Sequence, residues 1–248
     1  MKVATWNVNG IRAREAQLLD WLGREEPDVV CLQEIKAAPE QMSEALCGLP
    51  GYWCLWHGAG PYSGVALALS RRRFASEPRF AHPGFDRENR VVTAEVDGIV
   101  LASVYVPNGG RNYPGKLDFL ERMADWAGEL RAAGRALLLC GDLNVAREER
   151  DVHPKLRKPN QVGTLPEERA LFERTLGHGL VDLHRVFEPD NDELFTWWAP
   201  WRNLRQRNIG WRIDYVLASE GLAARALSCA VQRETGTSDH GPVVAVFE

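Results

Sequence analysis

Three short polar motifs contain the carboxylates, amides and imidazole from which this chain could build a reactive site. They are Leu32-Gln33-Glu34-Ile35-Lys36, Gly141-Asp142-Leu143-Asn144 and Ser238-Asp239-His240. Each motif follows or adjoins a short apolar run that is typical of a buried strand, and α/β enzymes gather such strand ends along one rim of a sheet. Carboxylates, an amide and an imidazole on one rim suit a hard divalent metal and phosphoryl chemistry.

Glu34 is the best single candidate for a Mg²⁺ ligand. Mg²⁺ prefers oxygen ligands and keeps several waters, so one or two carboxylates suffice. Asn7 and Asn9 follow the first predicted strand, where their amides would complete such a shell. The alternatives are a surface glutamate paired with Lys36, and plain turn chemistry for the two asparagines. For each motif taken alone, these alternatives remain open.

Asp142 and Asn144 alternate around Leu143, so both side chains would face one side of an extended segment and orient a water. The alternative is an Asx turn after a strand. His240 would stabilise charge that develops on a phosphate if a carboxylate orients its ring, and Asp214 is the candidate for that carboxylate. A lone histidine is more often structural, so the argument depends on the motifs occurring together.

A loop rich in tryptophan and arginine is the second unusual feature. Trp197, Trp201 and Trp211 are interleaved with basic residues in the segment 202–212. A place in the core is the default role for tryptophan, but interleaved rings and arginines suit a surface that contacts phosphates and accepts or wedges bases. Tyr105 ends another predicted strand and would point its phenol at the same rim, unless it is a half-buried strand tyrosine.

Composition bounds the class of protein. The 248 residues, with 45% apolar and 26% charged side chains, predict one globular domain spanning residues 1–248. The net charge of −4 does not favour a nucleic-acid partner, but basic clusters flank the acidic motifs and make a phosphate-binding surface plausible. Five cysteines without a C-x-x-C motif indicate a reducing compartment. With no signal peptide and no apolar run of about 18 residues, we expect a cytoplasmic protein.

Strand pairs dominate the hydrophobic pattern. We expect strands at residues 2–6, 28–32, 52–56, 65–69, 91–96, 100–106, 136–140, 212–217 and 242–247. We expect helices at residues 12–22 and 114–130, and a third that starts at a capping box at Thr164 and runs to about Leu176. Residues 145–163 and 190–208 are predicted long loops. This pattern favours two packed sheets with helices outside over a simple doubly wound fold.

Taken together, these motifs resemble the exonuclease III family of apurinic/apyrimidinic (AP) endonucleases, in the endonuclease/exonuclease/phosphatase superfamily. The resemblance covers essentially the whole chain, from Thr5 to Pro242. Gly-Asp-x-Asn and Ser-Asp-His are shared by the wider superfamily, whereas residues 32–36, 105–108 and 208–215 are more specific to the DNA-repair branch. The loop before Pro166 departs from the family, whose members commonly have an aromatic residue where Thr164 aligns.

The resemblance implies a fold and an activity. The fold is an α/β four-layer sandwich, in which two mixed β-sheets pack face to face with helices outside. The activity is Mg²⁺-dependent hydrolysis of the phosphodiester 5′ to abasic sites in duplex DNA, as in base excision repair, with Mn²⁺ as a substitute metal. Further implied activities are 3′→5′ exonuclease and 3′-end cleaning, on duplex DNA with abasic sites or blocked 3′ ends. We expect a monomer that does not bind membranes.

The resemblance also implies roles for individual residues. Asn7 and Glu34 would form the metal site, with Asp239 a further or alternative ligand. Other residues counted with the metal site are Asp142, Asn144 and His240. The catalytic set would be Tyr105, Asp142, Asn144, Asp214, Asp239 and His240. In it, Asp142 activates the attacking water, Asn144 orients that water, and His240, held by Asp214, contacts the scissile phosphate.

The remaining implied residues bind the substrate. Lys36 would support Glu34, and Asn108 would contact a phosphate. The abasic-sugar pocket would be lined by Trp197, Trp211 and Ile213. The residues that match positions inserted into the duplex are Arg111 and Trp201.

Two other functions compete with a DNA-repair nuclease. One is a phosphatase or phosphodiesterase of the same superfamily that acts on a small or lipid substrate. The segment 211–215 and the loop of tryptophans and arginines favour DNA over such a substrate. The other is a non-enzymatic binding module on the same fold, which is disfavoured because all the candidate catalytic residues are present.

Overall fold

The computed structural model describes residues 1–248. The strands are β1 (Lys2–Asn7), β2 (Val29–Gln33), β3 (Tyr52–His57), β4 (Val65–Ser70), β5 (Arg79–Ala81), β6 (Val91–Val96), β7 (Ile99–Tyr105), β8 (Ala136–Asp142), β9 (Leu180–Asp182), β10 (Asp214–Ser219), β11 (Ala226–Val231) and β12 (Val243–Phe247). The helices are α1 (Ile11–Glu25), α2 (Glu44–Cys47), α3 (Tyr113–Ala132), α4 (Pro166–Gly177), α5 (Leu183–Phe187) and α6 (Glu220–Ala223).

The strands form two six-stranded mixed sheets. The first has the order β11-β12-β1-β2-β4-β3, and the second has the order β5-β6-β7-β8-β10-β9. Each sheet contains one parallel pair, β1 with β2 in the first and β7 with β8 in the second, and its other neighbours are antiparallel. The carboxyl ends of the two parallel pairs carry the polar motifs, so the topology itself selects the edge at which a site can form.

Three apolar clusters account for the layers. The cluster between the sheets draws on the inward faces of both, with residues such as Val29, Leu67, Leu138 and Val216. A second cluster packs α3 and α4 on the outer face of the second sheet. A third packs α1 on the outer face of the first sheet. The predicted four-layer α/β sandwich is therefore confirmed, because each sheet buries one face against the other sheet and one against helices.

Most predicted elements are present, with differences at their ends. The turn between β6 and β7 is a tight hairpin turn, in which Asp97 and Gly98 adopt positive φ values. Helix α1 continues through Gly23 to Glu25, because Glu26 supplies the left-handed residue that ends it. Five of the elements that the sequence did not predict, β5, β9, α2, α5 and α6, are only three to five residues long. Such short runs carry little hydrophobic periodicity.

The start of α4 differs from the predicted capping box. Helix α4 begins at Pro166, one residue later than a cap at Thr164 requires. Glu168 Oε2 accepts hydrogen bonds from the backbone N–H groups of Gly163, at 2.7 Å, and Leu165, at 3.0 Å. Glu168 therefore satisfies the amides before the helix, whereas the hydroxyl of Thr164 donates to the carbonyl of Gln161.

A buried ion network fixes the loop that follows β8. Arg212 is fully buried and makes paired contacts with the carboxylates of Asp151, at 2.8 and 3.0 Å, and Asp182, at 3.0 and 2.8 Å. Arg185 adds a contact to Asp151 at 2.5 Å. Arg212 is therefore not part of the phosphate-binding surface that the basic clusters suggested. Arg205, in the preceding loop, also uses its guanidinium within the protein, since it donates to the backbone carbonyls of residues 233, 235 and 238.

All five cysteines are free, and three of them are buried. None of the helices is both long enough and apolar enough to cross a bilayer. Cys31 and Cys140 act as small core residues, because both belong to the cluster between the sheets.

We expect Arg212→Met to lower the free energy of unfolding by about 3–5 kcal/mol, since the substitution removes the paired guanidinium from the buried Asp182 and leaves the buried Asp151 with Arg185 alone. Denaturant unfolding monitored by circular dichroism would measure the change. Arg202→Met is the matched control, because Arg202 is exposed in the same loop and should shift stability by no more than about 0.5 kcal/mol. Equal stabilities of the two variants would show that the network does not support the fold.

Candidate active site

The candidate residues meet at one end of the two face-to-face sheets, where the parallel strands of both have their carboxyl ends. In the first sheet, Asn7 is paired with Gln33, the residue before Glu34. In the second sheet, Asp142 is flanked across the strands by Tyr105 on one side and Asp214 on the other. Strand register alone therefore places three of these side chains side by side.

The Asn7 side chain connects the two sheets. Its amide nitrogen donates to Glu34 Oε1 at 3.0 Å and to Asp142 Oδ2 at 2.9 Å. Its amide oxygen accepts the backbone N–H of Asn9 at 3.0 Å, which fixes which end of the amide faces the carboxylates. Asn7 is fully buried, so the carboxylates of the two sheets share one satisfied donor.

Glu34 is held as an anion beside Lys36. The Lys36 ammonium lies 2.6 Å from Glu34 Oε2 and also donates to Asn9 Oδ1 at 2.6 Å. Burial would raise the pKa of Glu34, but the hydrogen bonds from Asn7 and Lys36 outweigh it and lower that pKa. The backbone φ is 51° at Glu34 and 50° at Lys36, a left-handed conformation that is uncommon outside glycine and that aims both side chains into the cleft.

Asp142 is an almost completely buried carboxylate of the site. Its Oδ1 accepts the backbone N–H of Asn144 at 2.9 Å, and the Asn144 amide lies 3.3 Å from Oδ2. Burial and the nearby charge of Asp214 outweigh the opposing charge of His240 and raise the pKa of Asp142 to about 8. The ionised carboxylate is therefore a stronger base than that of an ordinary aspartate, and a cation in the site would favour this ionised form.

His240 and Asp214 form a buried ion pair. His240 Nδ1 lies 2.8 Å from Asp214 Oδ2, and both residues are almost completely buried. Burial alone would lower the pKa of His240, but the charge and hydrogen bond of Asp214 outweigh it and raise that pKa to about 10. The ring is consequently a cation, and its Nε2 points toward Asp142 at 3.9 Å.

Asp239 is attached to the site through two donors. Its Oδ1 accepts the Asn9 amide at 2.8 Å, and its Oδ2 accepts the Trp197 indole N–H at 2.9 Å. Burial would raise the pKa of Asp239, but His240, Trp197 and Asn9 together lower it. Asn9 therefore bridges Asp239 and Lys36, a role that the turn Asn7-Val8-Asn9-Gly10 hinted at only through its residue types.

The residues present fit a divalent cation. Ligand atoms of Glu34, Asp142 and His240 all lie within 4.8 Å of one another. Burial is the largest cause of the raised pKa of Asp142, and the charges of Asp214 and Glu34 raise it as well; a hard cation would relieve this repulsion between carboxylates. The carboxylates supply oxygen donors, whereas a protonated His240 has no lone pair to offer a metal.

An open cleft of about 660 Å³ leads to these groups. Its lining includes Glu34, Lys36, Tyr105, Asn108 and Arg111. Burial, together with the charges of Glu34 and Asp142, raises the pKa of Tyr105 well above its ordinary value, so the phenol stays protonated and can donate. Asn108 and Arg111 are exposed on the rim and do not contact the buried group.

Apolar residues adjoin the buried polar group on its other side. Trp211 and Ile213 are buried together with Val152, and Trp197 packs against them with its ring at 89° to that of Trp211. Trp201 does not belong to this cluster, and 59% of it is exposed. The divergent segment around Thr164 borders a separate hollow of about 440 Å³ whose wall includes Val152.

One supporting pair gives no short-range signal in the sequence. Lys116 and Glu168 are completely buried and form an ion pair between α3 and α4. The Lys116 ammonium also donates to the backbone carbonyl of Asn144 at 2.7 Å, which fixes the turn after Asp142. A lysine and a glutamate more than fifty residues apart reveal this role only through the helix packing.

Known proteins share this sequence and fold. The model of the endonuclease/exonuclease/phosphatase family matches residues 4–240. The DNA repair nuclease APEX1 of Danio rerio is 35% identical, and the match covers 98% of this chain and 81% of that protein. An AP endonuclease from Archaeoglobus fulgidus has a TM-score of 0.89 and 32% identity, over 100% of this chain and 99% of its own.

A structure of the 3′ phosphatase NExo from Neisseria, bound to a product DNA hairpin, has a TM-score of 0.90 and 30% identity. It covers 100% of this chain and 99% of that one. Sequence, fold and the motifs at the strand ends agree over the full length of the chain. This chain therefore belongs to the endonuclease/exonuclease/phosphatase family, in the branch of the exonuclease III-type AP endonucleases.

Proposed function

We propose that this protein is a DNA-repair nuclease that hydrolyses the phosphodiester 5′ to abasic sites in duplex DNA, and that the same site removes 3′ blocks or nucleotides. The observation that carries the proposal is the meeting of a buried Asp142 with the His240–Asp214 ion pair, next to Glu34, which lines an open cleft. Phosphodiester hydrolysis needs both a proton acceptor and a cation that faces the phosphate.

The proposed metal is Mg²⁺, with Mn²⁺ as a substitute. Glu34 would hold it, Asp239 being a further or alternative ligand, and Asn7 would position the Glu34 carboxylate through its amide nitrogen. When bound, the cation supplies charge neutralisation at a phosphoryl oxygen. Lys36 keeps Glu34 ionised and in place through its 2.6 Å contact. The oxygen-rich donor set favours a hard cation over a soft one.

Asp142 accepts the proton of the attacking water, and the Asn144 amide orients that water. Deep burial limits the competition from bulk water for the Asp142 carboxylate, which strengthens its basicity. His240 donates from Nε2 to a non-bridging phosphate oxygen, since Asp214 already occupies Nδ1. The charge of His240 is in place before the reaction, so no reorganisation is needed as negative charge develops.

The apolar cluster explains the proposed preference for a damaged substrate. Trp197, Trp211 and Ile213 offer a wall of rings and methyl groups, and the Trp197 indole N–H is already bonded to Asp239. An abasic nucleotide has lost its base, so extruding it avoids part of the unstacking cost, and an apolar pocket can reject a whole nucleotide. Exposed Arg111 and Trp201 are suited to contact the duplex around the extruded sugar.

The direct test is cleavage of a 5′-labelled duplex that carries one reduced abasic analogue, beside an undamaged duplex. We expect a single product ending just before the lesion with Mg²⁺, and no product with EDTA, because the excess negative charge of the site requires a cation. Laddering of the undamaged strand would add exonuclease activity. If no divalent metal supports cleavage, a small-substrate phosphatase or a binding module becomes the better description.

Asp142→Asn should lower kcat by about 10²–10⁴-fold or more, since an amide cannot accept the proton of the water. DNA affinity, measured by fluorescence anisotropy, should remain close to that of the unchanged protein. Asp190→Asn is the matched control, because Asp190 is exposed away from the site. Full turnover by Asp142→Asn would remove Asp142 from the proposed role.

Asp214→Asn should move the alkaline limb of the kcat profile to lower pH by about one unit or more. Asp214 raises the pKa of His240 to about 10, so removing its charge lowers that pKa and the ring loses its proton at lower pH. Activity requires the cationic ring, so it is retained below this pKa and lost above it. An unchanged alkaline limb would mean that His240 does not act as a cation.

A further inference from the structure

A second group of metal-binding side chains lies outside the active site, at the edges of both sheets. His57 ends β3, the edge strand of the first sheet, and His82 directly follows β5, the edge strand of the second sheet. Asp86 lies in the segment between β5 and β6. Ligand atoms of these three residues all lie within 4.8 Å of one another. The group is remote in sequence from every motif used by the proposed nuclease.

We propose that His57, His82 and Asp86 form a second metal site that binds a divalent transition metal of the Zn²⁺ class and joins the two edge strands. Two imidazole nitrogens and one carboxylate oxygen are the donor set of many zinc sites, in which water occupies the fourth position. Imidazole favours Zn²⁺ over Mg²⁺, so this site differs in selectivity from the oxygen-rich active site.

The surrounding hydrogen bonds already orient the ligands. His82 Nδ1 lies 3.1 Å from the carbonyl oxygen of Val91, so Nδ1 carries the proton and Nε2 keeps a free lone pair. Asp86 Oδ1 accepts the backbone N–H groups of Arg90, at 2.8 Å, and Val91, at 2.9 Å. Metal-binding histidines and carboxylates are typically held by such outer contacts, which fix the tautomer and the direction of the lone pair.

The proton between His57 and Asp86 must move before the metal can bind. His57 Nε2 lies 2.6 Å from Asp86 Oδ2, so this proton lies between the two ligand atoms. Metal binding at Nε2 of the neutral imidazole moves the proton to Nδ1 of the same ring, so the ring keeps one proton throughout. The Asn89 amide lies 3.3 Å from His57 Nδ1, and turning that amide over places its oxygen as the acceptor.

Binding a tetrahedral metal requires the imidazole rings to turn. Ligand atoms around a tetrahedral zinc lie roughly 3.3 Å apart, given zinc–ligand distances of about 2.0–2.1 Å. The two rings are stacked with their centroids 3.8 Å apart and 26° between their planes, so their lone pairs converge on one ion only when a ring tilts, and the exposure of His82 leaves room for that movement. The backbone of the segment is already fixed, since Asp86 N donates to the carbonyl of Pro83 at 2.9 Å.

Occupancy of this site would affect the cleft. Residues on both sides of Asp86 line the cleft, namely Phe85, Arg87, Glu88 and Arg90. Arg90 stacks over the ring of Tyr105 at 4.7 Å. A metal that fastens Asp86 to β3 would therefore stiffen one wall of the cleft without contacting the reacting groups.

The test measures Zn²⁺ binding directly, by calorimetry and metal analysis after dialysis in excess Mg²⁺. Every protein carries Glu34→Gln, which weakens binding at the active site and leaves the second group intact. We expect one equivalent of Zn²⁺ per protein. Co²⁺ should give the visible absorption bands of a four- or five-coordinate ion.

His82→Ala and Asp86→Asn should each weaken Zn²⁺ binding by about 100-fold or more, since loss of an outer contact alone costs roughly 10- to 100-fold. His153→Ala is the matched control, because His153 lies far along the chain and caps a short helical turn. Zn²⁺ should raise the melting temperature of the control and not that of His82→Ala.

Two results would overturn the proposal. One is the absence of Zn²⁺ binding in the Glu34→Gln protein, which would leave the group as a stacked pair of imidazoles with an ion pair. The other is Zn²⁺ affinity that His82→Ala leaves unchanged. Neither result bears on DNA cleavage, which is measured separately with Mg²⁺ on the unchanged protein.

Discussion

The hydrogen bonds of the Asn7 amide are the contact on which the site depends, because they join carboxylates that belong to different sheets. Glu34 and Asp142 would repel each other if they were brought together without a donor between them. Asn7 Nδ2 contacts both at about 3 Å, so the two sheets can close over an acidic centre. Each sheet alone supplies only part of this group, and the fold assembles it at their junction.

A second polar bridge sets the alignment of the sheets just below this point. Gln33 accepts from the Thr5 hydroxyl at 3.2 Å within the first sheet and donates to the Ser103 hydroxyl of the second sheet at 3.1 Å. All three residues are fully buried, so a shift of one sheet along the other would break bonds that water could not replace. The apolar core holds the sheets together, whereas these polar contacts fix their position.

The charges follow a division of labour between site and scaffold. At the site, burial and neighbouring charges raise the pKa of Asp142 to about 8. Burial would lower the pKa of His240, but neighbouring charges outweigh it and raise that pKa to about 10. Shifted pKa values of this kind suit groups that take part in proton transfer and charge stabilisation. In the scaffold, Arg212 forms buried ion pairs with its two aspartates, and Lys116 forms one with Glu168. These pairs fix the turn and the loop that follow Asp142. Buried charge serves reactivity in the first case and position in the second.

The sequence by itself determined the fold class, most strands and the identity of the candidate site residues. Short apolar runs that end in polar motifs are local signals, and the motif types restrict the chemistry, so Glu34, Asp142 and His240 could be named before any coordinates were known. The hairpin at Asp97-Gly98 was likewise readable, because only a tight turn with positive φ suits those residues there.

Only the tertiary structure decided how those residues act. The bridging contacts of Asn7, the buried state of Arg212 and the pairing of Lys116 with Glu168 join positions far apart in the chain. The grouping of His57, His82 and Asp86 depends on two edge strands meeting across different sheets. Such contacts, and the pKa values that burial produces, are properties of packing in three dimensions and leave no periodic pattern in the sequence.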